Sequence, residues 1–488
     1  MLGGSSSINA LLYVRGNRRD YNVHWQTAGG ADWSWDSVLP YFQKFESNLS
    51  PNEASLNIEN YPTTDFDENI KSMLQQFYES LGFKHLDDLY DDSFIGFARA
   101  KGILTKGTRS SSAKAFLRSE LIGKRNNLHV IKMAHVSRII VNKANKQVSG
   151  VEFTRLPEQK TIVANVRKEV IVSAGAVNTP QLLMLSGIGP TDQLTPHQIE
   201  IIQSLPGVGR NLQDHIMLPY IFSLHKSTAQ SPTYQFLADN FMSYLLNRSG
   251  MFSNLGSVDY MGFFSTLNDT LYPDIQVMHY LISKQSTDSM KFLLSLFNYK
   301  QHIIDAVVAA NLEADTLLVL MILLNPKSHG SITLRSKKPF DSPKIHTNYL
   351  KEIDDVKTLV RAMKIIDKLT ETKIFKEHEG EIVNFELKEC DRFPRNADTF
   401  WECYVRHLSI TVYHPVGTCK MGSPSDDEGS VVDGQLNVHG VNGLRVADAS
   451  IMPKIVSGNT NAATVMIGEK VAEFIKQKWE KHQIKEEL

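Results

Sequence analysis

The sequence of 488 residues is poor in cysteine and has no surplus of charge of either sign. Its three cysteines, Cys390, Cys403 and Cys419, form no CxxC motif. No histidine cluster has metal-ligand spacing, so the sequence predicts no metal site. The 52 Lys and Arg residues almost balance 53 Asp and Glu residues. A net charge of −1 argues against a nucleic-acid-binding protein, which needs a positive surface.

Long hydrophobic runs are also missing. The longest run, residues 317–324, contains eight apolar residues, whereas a membrane-spanning helix needs about 20. The run therefore predicts a buried strand, and the sequence predicts no transmembrane segment.

The chain has the composition of an ordinary globular protein, with 42% hydrophobic and 22% charged residues. Because its length exceeds what one hydrophobic core usually serves, two domains are expected. Stretches rich in Val and Ile predict strands at 128–132, 134–142, 148–155 and 168–174. A helix is predicted to open at Thr179-Pro180 and to run to Leu185. A strand followed by a helix favours a parallel sheet that binds a nucleotide.

The sequence changes character from about Ile216 onward, where Tyr and Phe become more frequent. A half-buried strand at 331–334 favours a second domain built on an antiparallel sheet. A helix with one apolar face is predicted to follow Asp354-Asp355, and its buried positions are expected to be Val356, Leu359, Val360, Met363 and Ile366.

The C-terminal part returns to the first domain. Residues 444–448 predict a strand that places Asp448 at its carboxyl end, where ligands bind in open α/β sheets. Asp448 would there bind hydroxyl groups of a cofactor, or else only cap the following turn. Residues 461–478 predict a helix packed against the sheet.

His414 and Asn459 form the candidate chemical centre. A histidine titrates near neutral pH and can take a proton from an alcohol. A helix that begins just after Asn459 would direct its free N–H groups at developing negative charge. The alternatives are a histidine with a purely structural role and an asparagine that only caps the helix behind it.

Several blocks of sequence follow one another from residue 3 to about residue 470 in the order of one flavoenzyme family. They are residues 3–10, which begin Gly3-Gly4-Ser5-Ser6; residues 13–21; residues 175–190, which end Gly187-Ile188-Gly189-Pro190; residues 207–215, which end Gln213-Asp214-His215; residues 413–418, Tyr413-His414-Pro415-Val416-Gly417-Thr418; and residues 457–461, Ser457-Gly458-Asn459-Thr460-Asn461. In these blocks the chain resembles the glucose-methanol-choline (GMC) oxidoreductases, and within them the insect glucose dehydrogenase branch.

The resemblance implies the fold, the cofactor and the reaction. The expected fold is α/β, with an FAD-binding Rossmann-like domain and an α+β substrate domain built on an antiparallel sheet. The FAD-binding domain would comprise residues 1–20, 125–215 and 430–488. Residues 21–124 and 216–429 would form the lid and substrate-binding domain.

The expected activity is an FAD-dependent dehydrogenase or oxidase that oxidises the CH–OH group of an alcohol or sugar. Hydride would pass to the flavin, and a quinone or another electron acceptor would reoxidise it. His414 would take the hydroxyl proton and Asn459 would position the alkoxide. The residues that would contact FAD are Gly3, Gly4, Asn9, Ala10, Leu11, Leu12, Val136, Asp448, Ala449 and Asn461.

One part of the family pattern is missing. The family begins with a strand, a GxGxxG turn and a helix that hold the FAD pyrophosphate, and no GxGxxG occurs in these 488 residues. The FAD-binding domain is therefore expected to be N-terminally truncated, and the chain as written to hold FAD weakly and to be inactive. The alternatives are a non-catalytic paralogue and a fragmentary gene model of an intact enzyme.

Features that bear on localisation leave the compartment open. Cys390 and Cys403 would pair in an oxidising compartment, whereas three unpaired thiols are the alternative. Sequons at Asn48, Asn247 and Asn268 permit glycosylation but are expected by chance at this length. The last four residues resemble an ER-retention signal, although such residues are common in C-terminal tails. The branch resembled favours an extracellular or secretory-pathway location for a full-length form.

Overall fold

A computed structural model describes residues 1–46, 55–62, 65–89, 94–117, 126–226, 233–253, 259–384, 387–395 and 397–486. The sequon at Asn48 and the last two residues lie outside this part of the chain. The described residues form a large antiparallel sheet, two small parallel sheets and several short antiparallel sheets.

The large sheet has seven strands and forms the centre of the second half of the chain. Its two longest strands, Ile216–Leu224 and Asp315–Leu323, pair along their full length and are buried at every position. Complete burial requires cover on both faces, which explains the unbroken apolar run at 317–324. The predicted buried strand is thus confirmed. In order across the sheet, the strands are Gly380–Ile382, Ile216–Leu224, Asp315–Leu323, Ile275–Ile282, Tyr260–Phe264 and Gly96–Arg99, and Ile410–Thr411 also pairs with Ile216–Leu224.

One parallel sheet contains two described strands, Val170–Val172 and Leu444–Val446, with Leu444 opposite Val170. The helix Gly175–Leu185 follows the first strand directly, and the helix Asn461–Glu486 closes the chain. Beside them lies an antiparallel sheet of Ala134–Val141, Val148–Arg155 and Lys160–Asn165. Strand-then-helix order and parallel pairing agree with the expected nucleotide-binding architecture.

Two predictions about this region are wrong. Residues 128–132 form no strand; Val130 and Ile131 have no partner strand and are exposed. The helix predicted to open at Thr179-Pro180 already begins at Gly175. The earlier start is stabilised by Asp448, whose carboxylate accepts hydrogen bonds from the Gly175 N–H at 2.9 Å and from the Thr179 hydroxyl.

The predicted amphipathic helix is confirmed as Ile353–Asp367, and the five apolar residues expected on its inner face are buried. It packs against the strand Asp315–Leu323. Cys390 and Cys403 form a disulfide that ties the loop before helix Asp398–Leu408 to that helix, and Cys419 is a buried free thiol. No helix among the described residues is long and apolar enough to cross a membrane.

The remaining elements are short or lie at the periphery. The strands are Leu12–Tyr13, Ile58–Asn60, Lys101–Thr105, Thr108–Arg109, Ile188–Gly189, Gln203–Ser204, Ser331–Thr333 and Lys344–His346. The helices are Asp20–Trp25 (a π-helix), Gln26–Gly29, Trp35–Glu46, Asp65–Ser80, Ser112–Phe116, Thr191–Leu194, Tyr234–Asn247, Thr287–Leu296, Gln301–Glu313 and Lys373–Glu377. Short 3-10 turns occur at Gly4–Ser7, Ala31–Trp33, Thr195–His197, Met251–Ser253, Lys368–Glu371 and Ala449–Ile451.

Candidate active site

His414 lies on a tight turn after the strand Ile410–Thr411. Tyr413 before it has a φ of 61°, a conformation that L-residues rarely adopt. Asp214 stabilises this turn, because its carboxylate accepts hydrogen bonds from the His414 N–H at 2.8 Å and the Thr411 hydroxyl at 2.6 Å. Burial raises the pKa of Asp214 above its ordinary value. The backbone of His414 is therefore fixed by a carboxylate from a distant part of the sequence.

Thr418 also helps to fix the position of this turn. Pro180 lies inside the helix Gly175–Leu185 and has no N–H for the carbonyl of Ala176. The Thr418 hydroxyl donates to that carbonyl at 2.6 Å. The segment that carries His414 thus supplies the hydrogen bond that the proline removes from this helix.

The ring of His414 contacts two other side chains. Its Nδ1 lies 3.0 Å from Nδ1 of His215, and its Nε2 lies 3.3 Å from Nδ2 of Asn459. Desolvation lowers the pKa of His414 to about 4. His215 is fully buried, and burial together with the neighbouring His414 ring lowers its pKa well below the ordinary range. Both imidazoles are therefore neutral at pH 7, and each can offer a lone pair.

Asn459 and the residues just before it form hydrogen bonds with the large sheet and with the N-terminal segment. Its Oδ1 accepts a hydrogen bond from Nε2 of Gln276 at 3.2 Å, and Gln276 is fully buried on the strand Ile275–Ile282. Two residues earlier, the Ser457 N–H donates to the buried carboxylate of Asp20 at 2.6 Å. The amide of Asn459 is thereby directed at His414.

The alternative role of Asn459, as a helix cap, finds no support in these contacts. The final helix begins at Asn461, and the first turn closes with the Thr464 N–H donating to the Thr460 carbonyl. Within the described residues, the side chain of Asn459 bonds to Gln276 and His414 and to no N–H of the helix. His414 and Asn459, predicted together from the sequence, are thus brought into direct contact.

The expected cofactor residues fall into three groups, of which the first is the N-terminal segment. Gly4 begins a short turn with φ of 55°, and a Cβ added there would meet no atom within 4 Å. Ala10 beside it is exposed. Asn9 is held by Arg109, which donates to its Oδ1 at 3.0 Å, and Leu11 has a φ of 63°. Gly3 adjoins Gly4 with φ of 85°, and Leu12 is buried in a strand pair.

The second group lies near His414. Asp448 is buried, and its oxygens accept hydrogen bonds from Gly175, Thr179 and the Ser450 N–H. This geometry shows the capping role that the sequence left as an alternative. The Ala449 carbonyl accepts the Gly417 N–H at 3.1 Å, which connects this segment to the His414 turn. Asn461 lies two residues after Asn459, and its Oδ1 is buried without a partner among the described residues.

Val136 forms the third group by itself. It lies on the antiparallel strand Ala134–Val141, and 39% of its surface is exposed. An exposed apolar residue on a sheet surface is compatible with contact to a flat ring. Each of the three groups offers one feature that a planar cofactor with polar edges could use: open space at Gly4, an exposed apolar side chain at Val136 and an unpartnered oxygen at Asn461.

Sequence reasoning assigned no role to three residues at this site. Asp214 and His215 end the block 207–215, which resembles the family. The adjacent Asp and His could have been used as a signal for a role at the site. Gln276 belongs to no motif; its only signal was an amide side chain within an apolar strand. Elsewhere, Cys390, Cys403 and His407 bring three potential metal-ligand atoms within 4.8 Å, but the disulfide engages both sulfurs.

The chain is similar to known proteins in both sequence and structure. Two family models, both described as GMC oxidoreductase, match residues 1–217 and 326–468. Glucose dehydrogenase [FAD, quinone] of Drosophila pseudoobscura pseudoobscura is 38% identical over 98% of this chain and 74% of its own length. Alcohol dehydrogenase [acceptor] of Pseudomonas putida is 33% identical over 98% of this chain and 81% of its own length. A solved structure of an Aspergillus oryzae formate oxidase variant superimposes with a TM-score of 0.81 at 26% identity, covering 98% of this chain and 84% of that one. The expected fold class, mixed α/β with antiparallel sheets, is confirmed.

Proposed function

Since the chain belongs to the GMC oxidoreductase family, we propose that it oxidises the CH–OH group of a small alcohol or sugar with FAD as its cofactor. The observation that carries this proposal is the convergence of His414 Nε2 and Asn459 Nδ2, which lie 3.3 Å apart. One offers a lone pair to a hydroxyl proton, and the other offers an N–H to the hydroxyl oxygen.

A residue of the chain itself would accept the proton that the alcohol loses. As the carbinol carbon loses hydride, the O–H bond breaks and the proton moves to Nε2 of His414. The low pKa of His414 keeps it neutral at pH 7 and ready to accept. Asn459 Nδ2 turns its N–H toward the oxygen, whose negative charge grows until the carbonyl forms.

Bound FAD would supply the acceptor for the hydride. The residues that would hold it are Gly3, Gly4, Asn9, Ala10, Leu11, Leu12, Val136, Asp448, Ala449 and Asn461. Asp448 would act mainly by fixing the start of helix Gly175–Leu185, because its oxygens already accept protein N–H and O–H groups. Asn461 is the residue in this set with a free buried acceptor oxygen.

A quinone is the proposed final electron acceptor, with oxygen as the alternative. The support is the similarity to glucose dehydrogenase [FAD, quinone], whose name contains quinone beside FAD. The disulfide Cys390–Cys403 supports an extracellular or secretory location.

The test uses a full-length form of the protein that retains FAD and measures its anaerobic reduction by a panel of alcohols that includes glucose, short aliphatic alcohols and aromatic alcohols. Bleaching of the oxidised flavin band by at least one of them, followed by recovery of the band on adding a benzoquinone, is expected. A protein that retains FAD but is bleached by no member of the panel would contradict the proposed function. Recovery with oxygen but not with benzoquinone would contradict the proposed acceptor.

A further inference from the structure

We propose that His215 is a positioning residue that holds His414 in one tautomer, with the proton on Nδ1 and the lone pair of Nε2 directed toward the substrate. The chemical use of that lone pair rests on the function proposed above. The hydrogen-bond arrangement itself does not, and it can be tested without a substrate.

The direction of the hydrogen bonds follows from a chain of four side chains. Nε2 of Gln276 donates to Oδ1 of Asn459, so Nδ2 of Asn459 faces Nε2 of His414. An amide nitrogen cannot accept, and Nε2 of His414 must therefore carry the lone pair. A neutral imidazole then has its proton on Nδ1, which donates to Nδ1 of His215 at 3.0 Å.

A reversed chain would place the proton of His414 on Nε2, and the contacts of Gln276 oppose it. Gln276 Nε2 also lies 3.4 Å from the sulfur of Met261, which can accept weakly but cannot donate. At the other end of the chain, Nε2 of His215 is buried with no hydrogen-bond partner among the described residues. With Nδ1 of His215 engaged as an acceptor, the proton of its neutral ring is on Nε2.

This arrangement also prepares His414 for the charge it would acquire. When Nε2 takes a proton, the ring becomes an imidazolium, and its Nδ1–H bond to His215 becomes charge-assisted and stronger. The ring of His215 has no other acceptor role among the described contacts, and its burial excludes water from the pair. Without His215, the Nδ1–H would lose its buried acceptor, and the opposite tautomer would become accessible.

The experiment compares two variants of His215 that differ in whether the new side chain can accept a hydrogen bond. His215→Asn keeps an acceptor, because the amide oxygen occupies nearly the position of Nδ1, whereas His215→Leu removes it at similar volume. His279→Gln is the matched control, since His279 is an equally buried histidine that bonds to Tyr78 and Tyr260 instead of His414. Histidine labelled with ring ¹⁵N reports the tautomer, and the His414 signals are assigned by their loss in His414→Ala.

In the wild-type protein, we expect a protonated Nδ1 and an unprotonated Nε2 on His414. His215→Leu is expected to shift the ring toward the opposite tautomer and to slow flavin reduction at saturating alcohol by about 10- to 1,000-fold, with little change in KM. His215→Asn should retain the tautomer and most of the rate, and His279→Gln should leave both unchanged.

A wild-type His414 with its proton on Nε2 would overturn the proposal, and this measurement remains possible even if His215→Leu does not fold. Unchanged His414 signals in a folded His215→Leu would do the same. If the tautomer results hold but no alcohol reduces the flavin, the proposed function fails while the positioning role stands.

Discussion

The Thr418 hydroxyl donates a hydrogen bond to the carbonyl of Ala176 at 2.6 Å, and this is the carbonyl that Pro180 leaves without a helical partner. The bond is buried, and it joins the segment four residues after His414 to the helix that follows the parallel strand. A proline inside a helix is therefore tolerated here because a distant hydroxyl replaces the missing N–H.

Thr418→Val is expected to lower the free energy of unfolding by about 1–3 kcal/mol, because it leaves a buried carbonyl unpaired while keeping the volume. Thr418→Ser, which keeps the hydroxyl, should lose less. Urea unfolding of the three proteins measures the difference. Equal stability of the valine variant and the wild type would show that the carbonyl finds another partner.

In a full-length form of the protein that retains FAD, His414→Ala should reduce the rate of flavin reduction by about two to four orders of magnitude, which is the usual loss when a general base is removed. Bound flavin, measured from its absorbance after gel filtration, is expected to stay at the wild-type level because His414 is not among the residues proposed to hold it. His279→Gln serves as the control for loss of a buried histidine. A near-normal rate for His414→Ala would exclude it as the base.

Asn459→Ala should slow flavin reduction by about 10²–10³-fold, because one donor to the developing alkoxide is lost. It should also lower the free energy of unfolding by about 1–3 kcal/mol, because the fully buried amide of Gln276 loses its partner Oδ1. Asn459 does not cap the final helix, so this loss comes from the contact with Gln276 and not from the helix start. Stopped-flow bleaching and thermal melting separate the two effects. A large fall in melting temperature with unchanged bleaching would assign Asn459 a structural role.

Much of this site was predictable from the sequence, because His414 and Asn459 both lie in recognisable motifs. The antiparallel strand at 317–324 followed from its unbroken apolar character. Gln276 was not predictable, because its contact with Asn459 depends on how the strand Ile275–Ile282 is placed against the C-terminal segment, and no local pattern encodes that placement. The helix start at Gly175 was missed for the same reason, since its cap, Asp448, comes from 273 residues away.

The disulfide between Cys390 and Cys403 should be present in protein secreted from cells. Its loop of 13 residues predicts that Cys403→Ser lowers the free energy of unfolding by about 3 kcal/mol. Cys419→Ala is the control, because Cys419 is a buried free thiol. Non-reducing digestion and mass spectrometry should show the linked peptide. Alkylation of both Cys390 and Cys403 without reductant would contradict the pairing.

The free energy of unfolding should depend on pH in part because His279 titrates, and one variant can isolate this contribution. Nδ1 of His279 lies 2.9 Å from the carbonyl of Tyr260, which can only accept, so Nδ1 carries the proton. Nε2 then accepts the Tyr78 hydroxyl at 2.6 Å, and a second proton on this ring would displace that bond. Burial accordingly lowers the pKa of His279 to about 4.

In the unfolded chain the pKa of His279 returns to about 6.5, so between pH 6.5 and 4 the unfolded state binds more protons than the folded state. The contribution of neutral His279 is therefore complete above about pH 6.5 and is lost as the pH falls toward 4.

His279→Gln keeps an acceptor for Tyr78 but cannot titrate. Between about pH 7 and pH 4, the wild type should lose about 3 kcal/mol more than this variant, because each pKa unit corresponds to about 1.4 kcal/mol. Urea unfolding at several pH values measures both slopes, and the other histidines and carboxylates titrate in both proteins and cancel in the difference. Parallel slopes would mean that the pKa of His279 is the same in the folded and unfolded states, which would contradict the lowered pKa of the buried ring.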